Sequence, residues 1–200
     1  MCRFCATFRS IEFIKMSSGL INPKYKFPDY FQWPFFFTLQ TNGEVRRKQI
    51  HMWIDLVLKF CQDNKVWKLT PKIFALNLGQ NPKINRKLDP KDIEIIFQSL
   101  VSVKKAVYVN SKQPEDIYIL WKSINEWEQY LYNSAMNRQS IDKLETLDYI
   151  TEDDDNKNEE YYNMDRHLLI SVLKGLESKG KCGLVKDSSG ENYVAVKFIR

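Results

Sequence analysis

Little in this chain punctuates the backbone or supplies reactive chemistry: 200 residues include only seven glycines, seven prolines, four cysteines and two histidines. So few glycines leave no glycine-rich phosphate loop. His51 and His167 stand in no metal-ligand spacing and beside no nucleophile motif, so both read as structural. Cys2 and Cys5 form a C-x-x-C without the second pair that a zinc site needs, while Cys61 and Cys182 lie in apolar contexts and read as buried, reduced thiols. Such cysteine usage does not build a secreted disulfide scaffold. Asp153, Asp154 and Asp155 lack the EF-hand pattern. No run of eighteen apolar residues exists, so no transmembrane helix is expected. These absences speak against an enzyme and against any metal or cofactor.

What the chain does have is unevenly placed. Seven of the eleven residues 27–37 are aromatic: Phe27, Tyr30, Phe31, Trp33, Phe35, Phe36 and Phe37. The net charge of +5 is uneven: residues 1–40 carry +3, residues 41–110 carry +7 and residues 111–200 carry −5. A basic middle suits an anionic surface, but an acidic end does not suit a chain that binds nucleic acid along its whole length. Arg3, Arg9, Glu12 and Lys15 interrupt any secretory signal core. Met16-Ser17-Ser18-Gly19 reads as an alternative start, so residues 1–22 are expected to be a disordered extension or a gene-model artefact.

Residues 23–43, with Pro23, Pro28 and Pro34, are predicted as an extended arm, since proline removes a backbone donor. In residues 44–64, Ile50, Trp53, Ile54, Val57, Leu58 and Cys61 recur on one face of a helix. Thr70-Pro71 and Asp89-Pro90 are N-cap and first-turn signals for two more helices, the second carrying Ile93, Ile96, Phe97, Leu100 and Val101. Residues 106–110 and 117–121 are β-prone and joined by a polar loop. Three helices followed by a hairpin is the order of a winged helix, here over residues 44–122.

The order partly repeats over residues 123–200. Ile124, Trp127 and Leu131 mark a helix, residues 139–150 are ambiguous, and residues 151–160 read as a solvated acidic loop. Asp165 caps a helix with Leu168, Leu169, Val172, Leu173 and Leu176. Residues 181–186 and 192–199 then form a hairpin through Asp187-Ser188-Ser189-Gly190. The expected class is therefore α+β and mostly helical, as two tandem winged-helix domains.

The segment Trp33-Pro34-Phe35-Phe36-Phe37-Thr38-Leu39-Gln40-Thr41-Asn42, with Arg47-Lys48-Gln49 and Trp53 after it, resembles the vacuolar protein sorting-associated protein 25 family of ESCRT-II subunits. The likeness runs from about Tyr25 to Arg200 and includes Asn85-Arg86-Lys87-Leu88, Trp121, Glu126-Trp127 and Met164-Asp165. The chain departs from the family where Phe35 and Thr41 replace prolines. The resemblance implies a non-enzymatic scaffold in sorting of ubiquitinated cargo to multivesicular bodies, cytoplasmic and peripheral at the endosomal membrane. It implies that two copies attach to a core of proteins 22 and 36 through the aromatic and proline segment. It also implies that the second winged helix recruits the ESCRT-III subunit called protein 20.

Trp33, Pro34, Phe35, Phe36 and Phe37 are accordingly the candidate partner-binding residues, with Arg86 beside them as a bidentate anchor for an acidic partner. Covering the first domain's own core accounts for some of these rings. The alternative is a winged helix that binds nucleic acid. Against it, the helix from Pro90 shows Lys91, Asp92, Glu94, Gln98, Lys104 and Lys105, and the second domain's helix shows Asp165, Arg166, Lys174, Glu177 and Lys179; both mix signs. Lys65, Lys68, Lys72, Lys83 and Lys87 allow at most peripheral attraction to anionic lipid.

Overall fold

The computed structural model describes residues 25–200 except Ser111 and Gln113. The expectation for residues 1–22 lies outside the described residues. The chain divides into two compact units, Met1–Trp121 and Lys122–Arg200.

In the first unit, α1 (Gly43–Asn64) is started by Asn42, whose side chain accepts from the backbone of Glu44 and Val45. Lys65, in the left-handed region at φ 53°, ends it. A two-residue strand, β1 (Lys68–Leu69), leads into α2 (Pro71–Asn77), capped by Thr70 with Pro71 in the first turn. A small ladder of β2 (Gln80–Asn81) and β3 (Arg86–Lys87) intervenes before α3 (Pro90–Ser102), which Asp89 caps. Then come β4 (Ala106–Tyr108) and β5 (Ile117–Ile119). The sheet order is β1-β5-β4, so the strand before α2 closes the wing. Trp53, Leu56, Val57, Phe60, Phe74, Ile96 and Leu100 are fully enclosed between the helices and this sheet.

The second unit repeats the plan. α4 (Ile124–Asn137) opens with a reciprocal capping box between Ser123 and Glu126. β6 (Leu144–Thr146), α5 (Leu147–Glu152) and α6 (Arg166–Ser178) follow, then β7 (Cys182–Lys186) and β8 (Tyr193–Phe198). The sheet order β6-β8-β7 matches that of the first unit element for element. Both units are winged helices, and the class is α+β.

Two expectations require correction. The acidic segment is not simply solvated: Thr151 and Glu152 belong to α5, Asp154–Asn156 forms a 3-10 turn, and Asn156 is buried, donating to the Tyr149 carbonyl at 2.8 Å. Asp154 and Asp155 are exposed, whereas Glu159 accepts from the Tyr130 hydroxyl at 2.9 Å and Glu160 pairs with Lys122 at 2.9 Å, so ring and cation contacts fasten the loop together with the Asn156 amide. The arm is not extended either. Asp29–Gln32 and Pro34–Phe37 are both 3-10 turns packed on the first unit. Proline at the start of such a turn loses no needed hydrogen bond. Because Phe35 rather than proline follows Pro34, Pro34 keeps access to the helical backbone region. Burial of rings against α1 then decides the conformation.

Candidate partner-docking site

The turn Pro34–Phe37 sorts its rings to two sides. Phe36 and Phe37 are 1% and 2% exposed, whereas Trp33 and Phe35 are 44% and 59% exposed. Phe36 stacks on Trp53 of α1 with centroids 4.2 Å apart at 14°, and Phe37 meets the same indole edge-on at 5.7 Å. Phe31 is buried too, stacked on Phe27 at 4.2 Å. Of the five residues expected to bind a partner here, Phe36 and Phe37 therefore belong to the chain's own core. Trp33, Pro34 and Phe35 are left at the surface. Trp33 and Phe35 stack on each other, with centroids 5.3 Å apart at 29°.

Polar side chains fix this turn. The buried Gln49 amide donates to the carbonyls of Phe35, Phe36 and Thr38, each at 3.0 Å, and its oxygen accepts from Gln40 N at 3.1 Å. Trp53 Nε1 donates to the Phe36 carbonyl at 3.2 Å. Asn81 Nδ2 donates to the Phe31 carbonyl at 2.7 Å. Irregular backbone at a buried edge needs such partners, and these three side chains supply them. Tyr30 packs beside the turn, its hydroxyl over the Met52 carbonyl at 3.4 Å, and burial first and Asp55 second push its pKa up.

Sequence reasoning singled out neither Gln49 nor Asn81 for this clamp. Gln49 had a readable signal: with Trp53, Leu56 and Phe60 it falls at i, i+4, i+7 and i+11, a polar residue inside an apolar stripe. Asn81 had none, because it acts on a carbonyl fifty residues away.

Arg86 is brought to the same place. It is exposed on β3, directly across the ladder from Asn81, and β3 packs beside the Pro34–Phe37 turn. Arg86, Lys87 and Lys83 make no ion pair among the described residues. The surface is thus a stacked pair of rings beside unpaired cations. By contrast Lys68, one of the cations considered for lipid, is engaged by Asp116 at 3.0 Å.

The histidines join no cluster. His51 is exposed with Nδ1 at 3.1 Å from the Arg47 carbonyl, and His167 is exposed beside Asp165. Among the described residues no group of histidine, cysteine and carboxylate side chains could hold a metal ion, and no helix is long and apolar enough to cross a membrane. Cys61 and Cys182 are buried thiols, both raised in pKa by burial, Cys182 to about 12.

A family model described as ESCRT-II complex subunit matches residues 30–165. Vacuolar protein-sorting-associated protein 25 of Homo sapiens is 29% identical over 176 residues, covering 88% of this chain and 98% of the relative. Its counterpart from Dictyostelium discoideum is 28% identical over 193 residues, covering 89% and 98%. The crystal structure of subunit VPS25 of the endosomal trafficking complex ESCRT-II is similar at a TM-score of 0.78 and 26% identity, over 85% of this chain and 97% of that one. A chain of the crystal structure of endosomal complex ESCRT-II (VPS22/VPS25/VPS36) is similar at a TM-score of 0.74 and 25% identity, over 84% of this chain and 96% of that one. The family match takes in the aromatic turn, all of the first winged helix from its leading helix onward and much of the second, so the chain belongs to the family of ESCRT-II complex subunits.

Proposed function

We propose that this chain is a non-enzymatic scaffold that docks on the core ESCRT-II subunits, vacuolar protein sorting-associated proteins 22 and 36, through Trp33, Pro34 and Phe35 with Arg86 alongside. The observation that carries the reading is the exposed, stacked Trp33–Phe35 pair on a turn whose other rings are locked into the core. Residues 23–43 and the winged helix 44–122 make this attachment. The winged helix 123–200 recruits an ESCRT-III subunit, protein 20. Work at the cytoplasmic face of endosomes in cargo sorting to multivesicular bodies follows from those partners, and the assembled relatives support it.

Magnitudes shape the mechanism. Two half-exposed rings offer on the order of 200 Å² to a partner, or about 5 kcal/mol gross at 25 cal/mol per Å². Association costs consume a comparable amount. The rings therefore act as anchors, and Arg86 facing a carboxylate supplies orientation. Holding the turn beforehand through Gln49 and Trp53 removes part of the ordering cost.

Replacing both anchors (Trp33→Ala with Phe35→Ala) tests the reading. Affinity for the purified 22–36 core should fall about 100-fold or more, with an unchanged thermal midpoint. Wild-type affinity in the double variant would refute docking at this turn.

A further inference from the structure

Residues 64–88 carry no acidic side chain, in a chain that has 25 Asp and Glu among 200 residues. Folding brings much of this stretch together in the first unit, as α2, the β2–β3 ladder and the 3-10 turn Pro82–Ile84 between the two strands. Phe74 of α2 turns into the core, whereas Leu76 is 56% exposed. Lys72 lies one turn before Leu76, on the same side of the helix. The Gln80 side chain donates to the Leu76 carbonyl at 3.1 Å, and Lys87 stands directly across the ladder from Gln80. Lys83 occupies the turn that joins the strands. Lys72, Lys83 and Lys87 are exposed, and none of them makes an ion pair among the described residues. The ladder sets Lys87 apart from the docking turn. Side chains alternate across a strand, so Arg86 shares one face with Asn81, whose amide holds the Phe31 carbonyl, and Lys87 shares the other with Gln80.

An exposed leucine among unpaired ammoniums, on a stretch without carboxylates, complements a surface that is anionic outside and apolar beneath. We propose that Lys72, Leu76, Lys83 and Lys87 form a contact for an anionic lipid bilayer, an inference that rests on the endosomal placement proposed above. The ammoniums meet headgroup charges, and Leu76 enters the apolar boundary below them. Each lysine near such a surface raises partition about fivefold. The residue types select lipid over other anionic partners. Lysine is a point charge on a flexible stem and suits a fluid array of headgroups, whereas the rigid fork of arginine suits a fixed carboxylate. The one arginine of residues 64–88 is Arg86, on the docking face of the ladder. A nucleic-acid backbone offers Leu76 no apolar layer, and α3, the helix that would enter a groove, opens with Asp89 and Asp92.

Flotation of the full-length chain with phosphatidylcholine vesicles, with and without phosphatidylserine, tests the contact. Binding should require phosphatidylserine and weaken as salt rises. Lys72→Glu with Lys83→Glu and Lys87→Glu should lower the partition about 100-fold or more, and Leu76→Ser alone should lower it several-fold. A charge-matched variant of the second unit, Lys174→Glu with Lys186→Glu and Lys197→Glu, should keep most of the binding. If either triple variant fails to fold by circular dichroism, the corresponding Gln variants replace both, with the same contrast expected. Equal loss in the two triple variants assigns the effect to net charge and overturns the proposal, as does absence of binding by the wild-type chain. Neither outcome touches the reading of core docking, which is measured separately: the first triple variant should bind the 22–36 core as the wild-type chain does. A loss of core affinity in that variant places these lysines in the core interface and overturns the membrane contact. Loss of binding to duplex DNA with vesicle binding intact assigns the surface to a nucleic acid and overturns it too.

Discussion

At the scale of single residues, neighbours in one turn have opposite jobs. Trp33 and Phe35 are available to a partner, while Phe36 and Phe37, one and two positions on, are interior. Phe36→Ala should therefore destabilise the chain by about 3–5 kcal/mol, the cost of emptying a packed aromatic site. Chemical denaturation should show this as a lower midpoint at unchanged slope, and an effect below about 1 kcal/mol would mean the ring is not enclosed. Gln49 acts differently. Gln49→Leu keeps the volume but strands the Gln40 backbone amide and takes one of two donors from each of three carbonyls. A loss of about 1–3 kcal/mol is expected from unsatisfied buried groups, with faster hydrogen exchange at Gln40 as its local signature.

Between elements, the second unit relies on a buried polar network where the first relies on rings. Arg138, the C-cap of α4, pairs with Glu145 of β6 at 2.9 Å, with side chains 17% and 8% exposed. The same guanidinium reaches Ser134 Oγ at 2.7 Å and the Tyr161 hydroxyl, which in turn lies 3.4 Å from Asn156 Oδ1. This ties the leading helix to the edge strand and to the acidic loop at once. Glu145→Ala leaves Arg138 without its counter-charge and should cost about 3–5 kcal/mol, whereas replacing both partners with apolar residues of similar size should cost much less. Comparison of the single and double variants by urea unfolding checks this. Glu128, also buried on α4, pairs with Lys179, and Gly175 of α6 lets it pass, since a β-carbon there would lie 1.9 Å from Glu128 Oε1. The α4–α6 contact thus depends on one missing side chain.

For the molecule as a whole, stability should decline in alkali. Tyr25 and Tyr130 are both raised to about 12 from an ordinary 10, by burial first, with Asp63 adding at Tyr25 and the hydrogen bond to Glu159 at Tyr130. The unfolded chain releases these protons near pH 10 and the folded chain does not. Above about pH 10 the unfolded state therefore binds fewer protons, and stability falls as pH climbs toward 12. Thermal midpoints should drop from about pH 9 upward, with the Cys182 thiol beginning the decline, and Tyr25→Phe with Tyr130→Phe should flatten the upper part of the curve. An unchanged slope in that variant would assign the effect to other groups.

Much of the architecture was legible in the one-dimensional pattern because its signals are local. Thr70, Asp89 and Asp165 cap helices within three residues of themselves, and the apolar stripes of α1, α3 and α6 follow the helical period. The short strands β1, β2 and β3 were not legible, because two residues carry no period and gain their identity only from a partner strand. Nor was the division of labour among the rings at 33–37. Composition alone marks that stretch as exceptionally aromatic. Which rings turn inward was decided by Trp53, Gln49 and Asn81, and Arg86 reached the same surface through a ladder far along the chain. Helical period and caps are encoded by near neighbours, whereas the side of a turn that stays dry depends on residues that only folding brings near.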